Sequence, residues 1–102
     1  MTSTLRDQIA ELVRAGLQAA QDAGALLPFE IPAPIPVNSG RHAAHGDYAS
    51  PVCMGLARVL HRAPLQIAQA IAPHIPPADF VSAVEVAPPG YLNFTLDWGW
   101  LA

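Results

Sequence analysis

Near the end of the chain, Tyr91, Asn93 and Thr95 stand at two-residue spacing between Leu92, Phe94 and Leu96. In an extended strand that alternation sends the two sets to opposite faces, so a ring and a carboxamide share the polar one. An exposed ring beside an amide that both donates and accepts can stack on an unpaired nucleobase and read its edge. An ordinary strand surface is the competing reading, because tyrosine is common there.

Other residues with chemical potential are fewer and less organised. His42, His45 and Asp47 lie close together and have donor types that suit a divalent metal. A tetrahedral site draws a further ligand from a second element, however, and neither a Cys pair nor an HExxH pattern is present, so no metal site is expected. Cys53, the single cysteine, excludes an intramolecular disulfide and reads as a small buried hydrophobe, not a nucleophile. Arg58 and Arg62 are four apart and share a helical face that Arg41 could approach; they form either a solvated surface or a small phosphate-contacting patch. Trp98 and Trp100 are the last aromatic residues, and Asp97 just before them resembles the cap of a helix. They either fold back on the core or meet a partner.

The elements that must position these groups follow from periodicity and punctuation. Leu5, Ile9, Leu12, Val13, Leu17 and Ala20 mark an amphipathic helix over about residues 4 to 23, with Thr4 and Asp7 as a capping box and Gly24 just past its end. The proline-rich stretch 28–36 fits an edge strand only, followed by a turn at Asn38, Ser39 and Gly40. Ser50-Pro51 opens a second helix with Val52, Leu56, Val59 and Leu60 as its buried stripe, ending near Ala63. Pro64 opens a third, with Ile67, Ala68 and Ile71 inward, and Pro73, Pro76 and Pro77 end it. The β-rich runs 80–86 and 91–96 read as an antiparallel hairpin, with Gly90 supplying the positive φ of a type II turn.

The predicted class is therefore α+β: a small antiparallel sheet covered on one face by about three helices, in a single domain over residues 1–102. Composition agrees with one packed core, at 52% hydrophobic and 13% charged in 102 residues, and excludes a disordered tail. All five bases are arginine, and the net charge of -3 argues against a generic phosphate clamp. No basic flank precedes an apolar run at the start, and no apolar stretch is long enough to span a bilayer, so a cytoplasmic location is expected.

Three segments, His45-Gly-Asp-Tyr-Ala49, Ala63-Pro-Leu-Gln-Ile-Ala-Gln-Ala-Ile-Ala72 and Val84-Glu-Val-Ala-Pro-Pro-Gly-Tyr-Leu-Asn-Phe94, occur in that order. Together they resemble the N-terminal domain of arginyl-tRNA synthetase, with its His-Gly-Asp-Tyr/Phe-Ala, Pro-x-x-Ile-Ala and Gly-Pro-Gly-Phe/Tyr-Ile/Leu-Asn-Phe segments. Ser50-Pro51 in place of Thr-Asn, and Pro88 in place of a glycine, depart from the family pattern. The resemblance implies a domain that contacts the D-loop and elbow of tRNA(Arg) beside a class I catalytic domain of the same polypeptide, reached through the Trp98–Ala102 end. It assigns base contact to Tyr91 and Asn93; Arg58, Arg62 and Arg41 are the candidates for phosphates. The class I signatures, a His-x-Gly-His type segment and a Lys-Met-Ser-Lys-Ser type loop, are not in this sequence. The resemblance therefore implies no catalytic residue and no cofactor here, ATP and Mg2+ belonging to the catalytic domain. The alternative is a freestanding protein-interaction module that uses Trp98, Trp100 and the 28–36 segment.

Overall fold

The structure, a computed structural model, describes residues 4–39 and 47–101. Arg41, His42 and His45 lie outside the described residues, so their expected roles have no structural account. Helix α1 spans Leu5–Asp22 and begins with the predicted capping box: Asp7 N–H donates to Thr4 Oγ1, and Thr4 N–H donates to the Asp7 carboxylate. Reciprocal caps satisfy donors that the first turn cannot. Past its end, Gly24 takes φ 76°, the left-handed conformation that glycine adopts without steric cost.

The proline-rich stretch forms no strand. With Pro28, Pro32, Pro34 and Pro36 unable to donate, it crosses the surface as irregular chain, anchored by buried Ile35 and Val37. The first ladder appears just beyond it: β1 is Asn38–Ser39, where a turn was predicted, paired antiparallel with β2, Tyr48–Ser50. Helix α2 (Val52–Leu60) follows at once. Ser50 caps only partly, since it lies in β2: its Oγ donates to Pro36 O at 2.8 Å and accepts from Val52 N–H at 3.4 Å. Helix α2 stops three residues short of Ala63 because His61 turns left-handed at φ 54°. Its buried stripe centres on Cys53, Leu56 and Leu60; Val59, expected inside, falls at the rim and is 60% exposed.

Helix α3 (Pro64–Ile71) starts on its proline and runs into a 3-10 turn, Ala72–His74. Strands β3 (Val81–Ala87) and β4 (Tyr91–Leu96) form the predicted hairpin, and a short helix α4 (Trp98–Leu101) closes the described chain. The four antiparallel strands lie in the order β1-β2-β4-β3, so β4 is interior. Ile9, Val13 and Leu17 of α1, Leu56 and Leu60 of α2, and Ile67 and Ile71 of α3 pack with Leu92, Phe94 and Leu96 of β4 in one core. The expected α+β class, three helices on one face of a small antiparallel sheet, is the observed one. Complete burial of Phe94 contributes on the order of 1.5–3 kcal/mol.

The hairpin turn differs from expectation. Gly90 has no positive φ, and the chain reverses through a cis Pro88–Pro89 peptide instead of a type II turn. What requires glycine at 90 is space: a Cβ there would collide with Pro64 Cβ and lie 2.9 Å from the Pro64 carbonyl carbon. The turn thus docks on the first residue of α3.

Candidate nucleic-acid interface

Because β4 is flanked on both sides, its alternation is enforced by two ladders. Leu92, Phe94 and Leu96 enter the core, and Tyr91, Asn93 and Thr95 occupy the opposite, outer face. The register places Asn93 directly across from Ala49 of β2 and Glu85 of β3, Tyr91 across from Ala87, and Thr95 across from Ala83. Three of these neighbours are alanines, so Glu85 is the one longer side chain that directly faces β4 on this side.

The two expected base-contacting residues differ in depth. Tyr91 is half-buried, whereas Asn93 is only 4% exposed, deeper than a free strand surface implies. The Asn93 Oδ1 atom is buried and has no hydrogen-bond partner among the described residues. Most buried polar atoms in folded proteins are paired, so this unpaired carbonyl is an energetic cost.

Asp47, read from the sequence as one of three conceivable metal donors, is occupied with the backbone of β4. Its Oδ2 accepts from Leu96 N–H at 2.8 Å, and its own N–H donates to Phe94 O at 2.9 Å. It extends the β2–β4 pairing beyond the end of β2 and helps to fix the strand that carries Tyr91 and Asn93. Among the described residues no group of three or more His, Cys, Asp and Glu could hold a metal ion.

Arg58 and Arg62 are both exposed, on and just beyond the last turn of α2. That helix packs against the core face of the sheet, so the two arginines lie in the helical layer while Tyr91 and Asn93 lie on the opposite face. The structure does not bring the four together as one patch. Arg62 Nη1 donates to Ala25 O at 3.3 Å, which ties α2 to the end of α1. Arg14 on α1 is paired with Glu11, and the hydrogen bonds that its guanidinium donates, with its charge, hold the Glu11 carboxyl below its ordinary value. Cys53 is fully buried, and burial pushes its thiol up to about 12, leaving no thiolate for nucleophilic chemistry near neutrality.

At the C-terminal end Asp97 N–H donates to Phe80 O at 2.8 Å, and Asp97 Oδ1 accepts from Trp100 N–H at 3.0 Å. The aspartate starts α4 as its sequence position suggests. Trp98 and Trp100 do not fold back on the core; they are 58% and 57% exposed. Glu85, exposed and directly across from Asn93, was not singled out by sequence reasoning. The signal was available, because Glu85 and Asn93 are equidistant from the centre of the 87–91 turn.

The family described as "Arginyl tRNA synthetase N terminal domain" matches residues 7–96. The arginine–tRNA ligase of Halorhodospira halophila is 37% identical over 93 residues, covering 90% of this chain and 16% of that protein. The arginine–tRNA ligase of Thermosynechococcus vestitus is 39% identical over 95 residues, covering 92% of this chain and 15% of the relative. Among solved structures, the arginyl-tRNA synthetase of Thermus thermophilus superposes with a TM-score of 0.72 at 31% identity, over 96% of this chain and 15% of the other. That of Plasmodium falciparum gives a TM-score of 0.73 at 13% identity, over 95% of this chain and 17% of the other, a likeness of fold alone. The chain thus spans about one sixth of the length of the curated relatives it matches. A matched family over nearly all of its length, with the strand that carries Tyr91 and Asn93 inside the match, shows that this chain belongs to the arginyl-tRNA synthetase N-terminal domain family.

Proposed function

We propose that this chain is the tRNA-recognition domain of an arginine–tRNA ligase. On this reading the outer face of β4 holds an unpaired base in the D-loop or elbow of tRNA(Arg), with Tyr91 stacking on the base and Asn93 reading its edge. Arg58, Arg62 and Arg41 contact phosphates of the same RNA. The exposed Trp98 and Trp100 pack against the class I catalytic domain of the same polypeptide, where ATP and Mg2+ serve arginylation; the setting is the cytoplasm. The observation that carries the base-reading proposal is that Tyr91 and Asn93 share the outer face of β4, in a chain whose family match covers residues 7–96.

The test is a titration of this chain with a tRNA(Arg) transcript, followed by chemical-shift perturbation and by equilibrium binding. Tyr91→Ala is expected to weaken binding by about 1–3 kcal/mol, the range for a lost base–aromatic stack. Equal affinity for the wild type and for the Tyr91→Ala and Asn93→Ala variants would overturn the proposal.

A further inference from the structure

Strand β3 is the outer strand on one side of the sheet, and its free edge is long and unguarded. Leu96 N–H and Phe94 O turn to the β2 side, where Asp47 meets both, so the backbone groups of Tyr91, Asn93 and Thr95 turn to β3. Their partners in register, Ala87, Glu85 and Ala83, direct their own backbone groups into that ladder. The N–H and carbonyl of Val84 and Val86 therefore point away from the sheet, and nothing among the described residues bonds to them. The other edge, β1, is two residues long, whereas β3 has seven, Val81–Ala87, with no proline, lysine or arginine. Edges of that kind are templates for another strand.

The strand that fits this edge is a second β3. Laid antiparallel with Val84 across from Val84, the two strands overlap along their whole length, and each Val84 both donates to and accepts from the other. Glu85, the one charge in the strand, then falls opposite Ala83 of the second copy. One step of register toward the hairpin turn sets Glu85 against Glu85, like charges directly opposite. One step the other way brings the register shift between Val81 and Ala83 into the centre of the new ladder. The side chains of Val84 and Val86 pack on the core but are only partly buried, so Val84 of the second copy covers apolar surface that the helices leave open.

We infer that this edge is the interface of a symmetric dimer of the chain, centred on Val84. The two-fold axis is perpendicular to the sheet, which puts both helical layers on one side and both outer faces on the other. The two copies of β4 lie three strand spacings apart, about 14 Å, with Tyr91 and Asn93 outside the interface. The dimer is therefore independent of the base-reading proposal.

Sedimentation equilibrium of the full chain between about 10 µM and about 1 mM should show monomer passing to dimer, the weak range that a small interface reaches. Ala83→Arg places a positive charge opposite Glu85 of the second copy and should tighten the dimer roughly 2–30-fold, the effect of two cross-strand charge pairs; Ala83→Glu should loosen it as much. Both differences should shrink in about 1 M salt. Val84→Pro removes the outward N–H and leaves the donors of the β3–β4 ladder in place, so it should give a monomer. Ala83 lies on the outer face, away from the core, and thermal unfolding checks that each variant is folded. A chain that stays monomeric at about 1 mM overturns the inference. So does a dimer whose affinity the Ala83 variants do not move, a result that Trp98→Ala and Trp100→Ala would trace to the exposed tryptophans instead.

Discussion

Replacing Asn93 by leucine, which keeps the branching at Cγ and removes both polar atoms, should make the isolated chain more stable. A buried carbonyl without a partner costs about 1–3 kcal/mol, and Asn93 Oδ1 is in that state. With no side-chain hydrogen bond to lose among the described residues, the gain is about 1–3 kcal/mol. For a domain near this size about 1 kcal/mol corresponds to a shift of roughly 4–8 °C, so Tm should rise by several degrees. Urea unfolding of wild type and Asn93→Leu, followed by circular dichroism, measures the difference, with an unchanged m-value as the check that the same surface is exposed. The same variant should lose recognition of tRNA(Arg), since leucine has nothing to offer a base edge. A loss of stability above about 1 kcal/mol would refute the reasoning, because it would mean that the carbonyl is satisfied in solution and that Asn93 is a structural residue.

Gly90→Ala should destabilise by about 1–3 kcal/mol in urea unfolding, since its Cβ would meet Pro64 backbone that has to shift. Gly55→Ala should instead stabilise by about 0.5–1 kcal/mol: it lies within α2, is exposed, and its added Cβ meets nothing within 4 Å. Cys53 should resist thiol reagents at pH 8 until the chain is unfolded. The folded state holds the Cys53 proton up to about pH 12, whereas the unfolded chain releases it near the ordinary value of 9.0. The unfolded state therefore binds fewer protons above pH 9, and a stability contribution present below that pH is lost as it rises toward 12; Cys53→Ala should flatten that part of the unfolding profile. Binding to tRNA should depend only weakly on salt, with a log–log slope no steeper than about -3, because only three arginines are candidates for phosphates. A much steeper slope would show that phosphate contact, not a base, dominates.

The fold was legible where a single physical signal decided the local structure. The capping box and apolar stripe of α1, the proline that opens α3 and the strict alternation of β4 each fix an element without outside help. The misread parts all depend on packing. Prolines at 28, 32, 34 and 36 permit an edge strand or none, and only the burial of Ile35 and Val37 decides for irregular chain. The glycine at 90 suggested a conformational requirement, but the contact with Pro64, distant in sequence, is what excludes a side chain there. Val59 has the spacing of a buried residue, yet whether the rim of a helical stripe is covered depends on the neighbouring element, and here none covers it.

The site was legible as a face and illegible as a depth. Alternation tells that Tyr91 and Asn93 share a side of β4, because strand periodicity is a property of the backbone. It does not tell that β4 lies between β2 and β3, nor that Asn93 is only 4% exposed while Glu85, directly across from it, is exposed. Nor can composition say which polar atom will be buried without a partner. Eight acids against five arginines first argued against RNA. That argument holds only for recognition by charge. Tyr91, Asn93, Thr95 and Glu85 on the outer face carry no positive charge, so any recognition there would rest on stacking and hydrogen bonding instead of on charge.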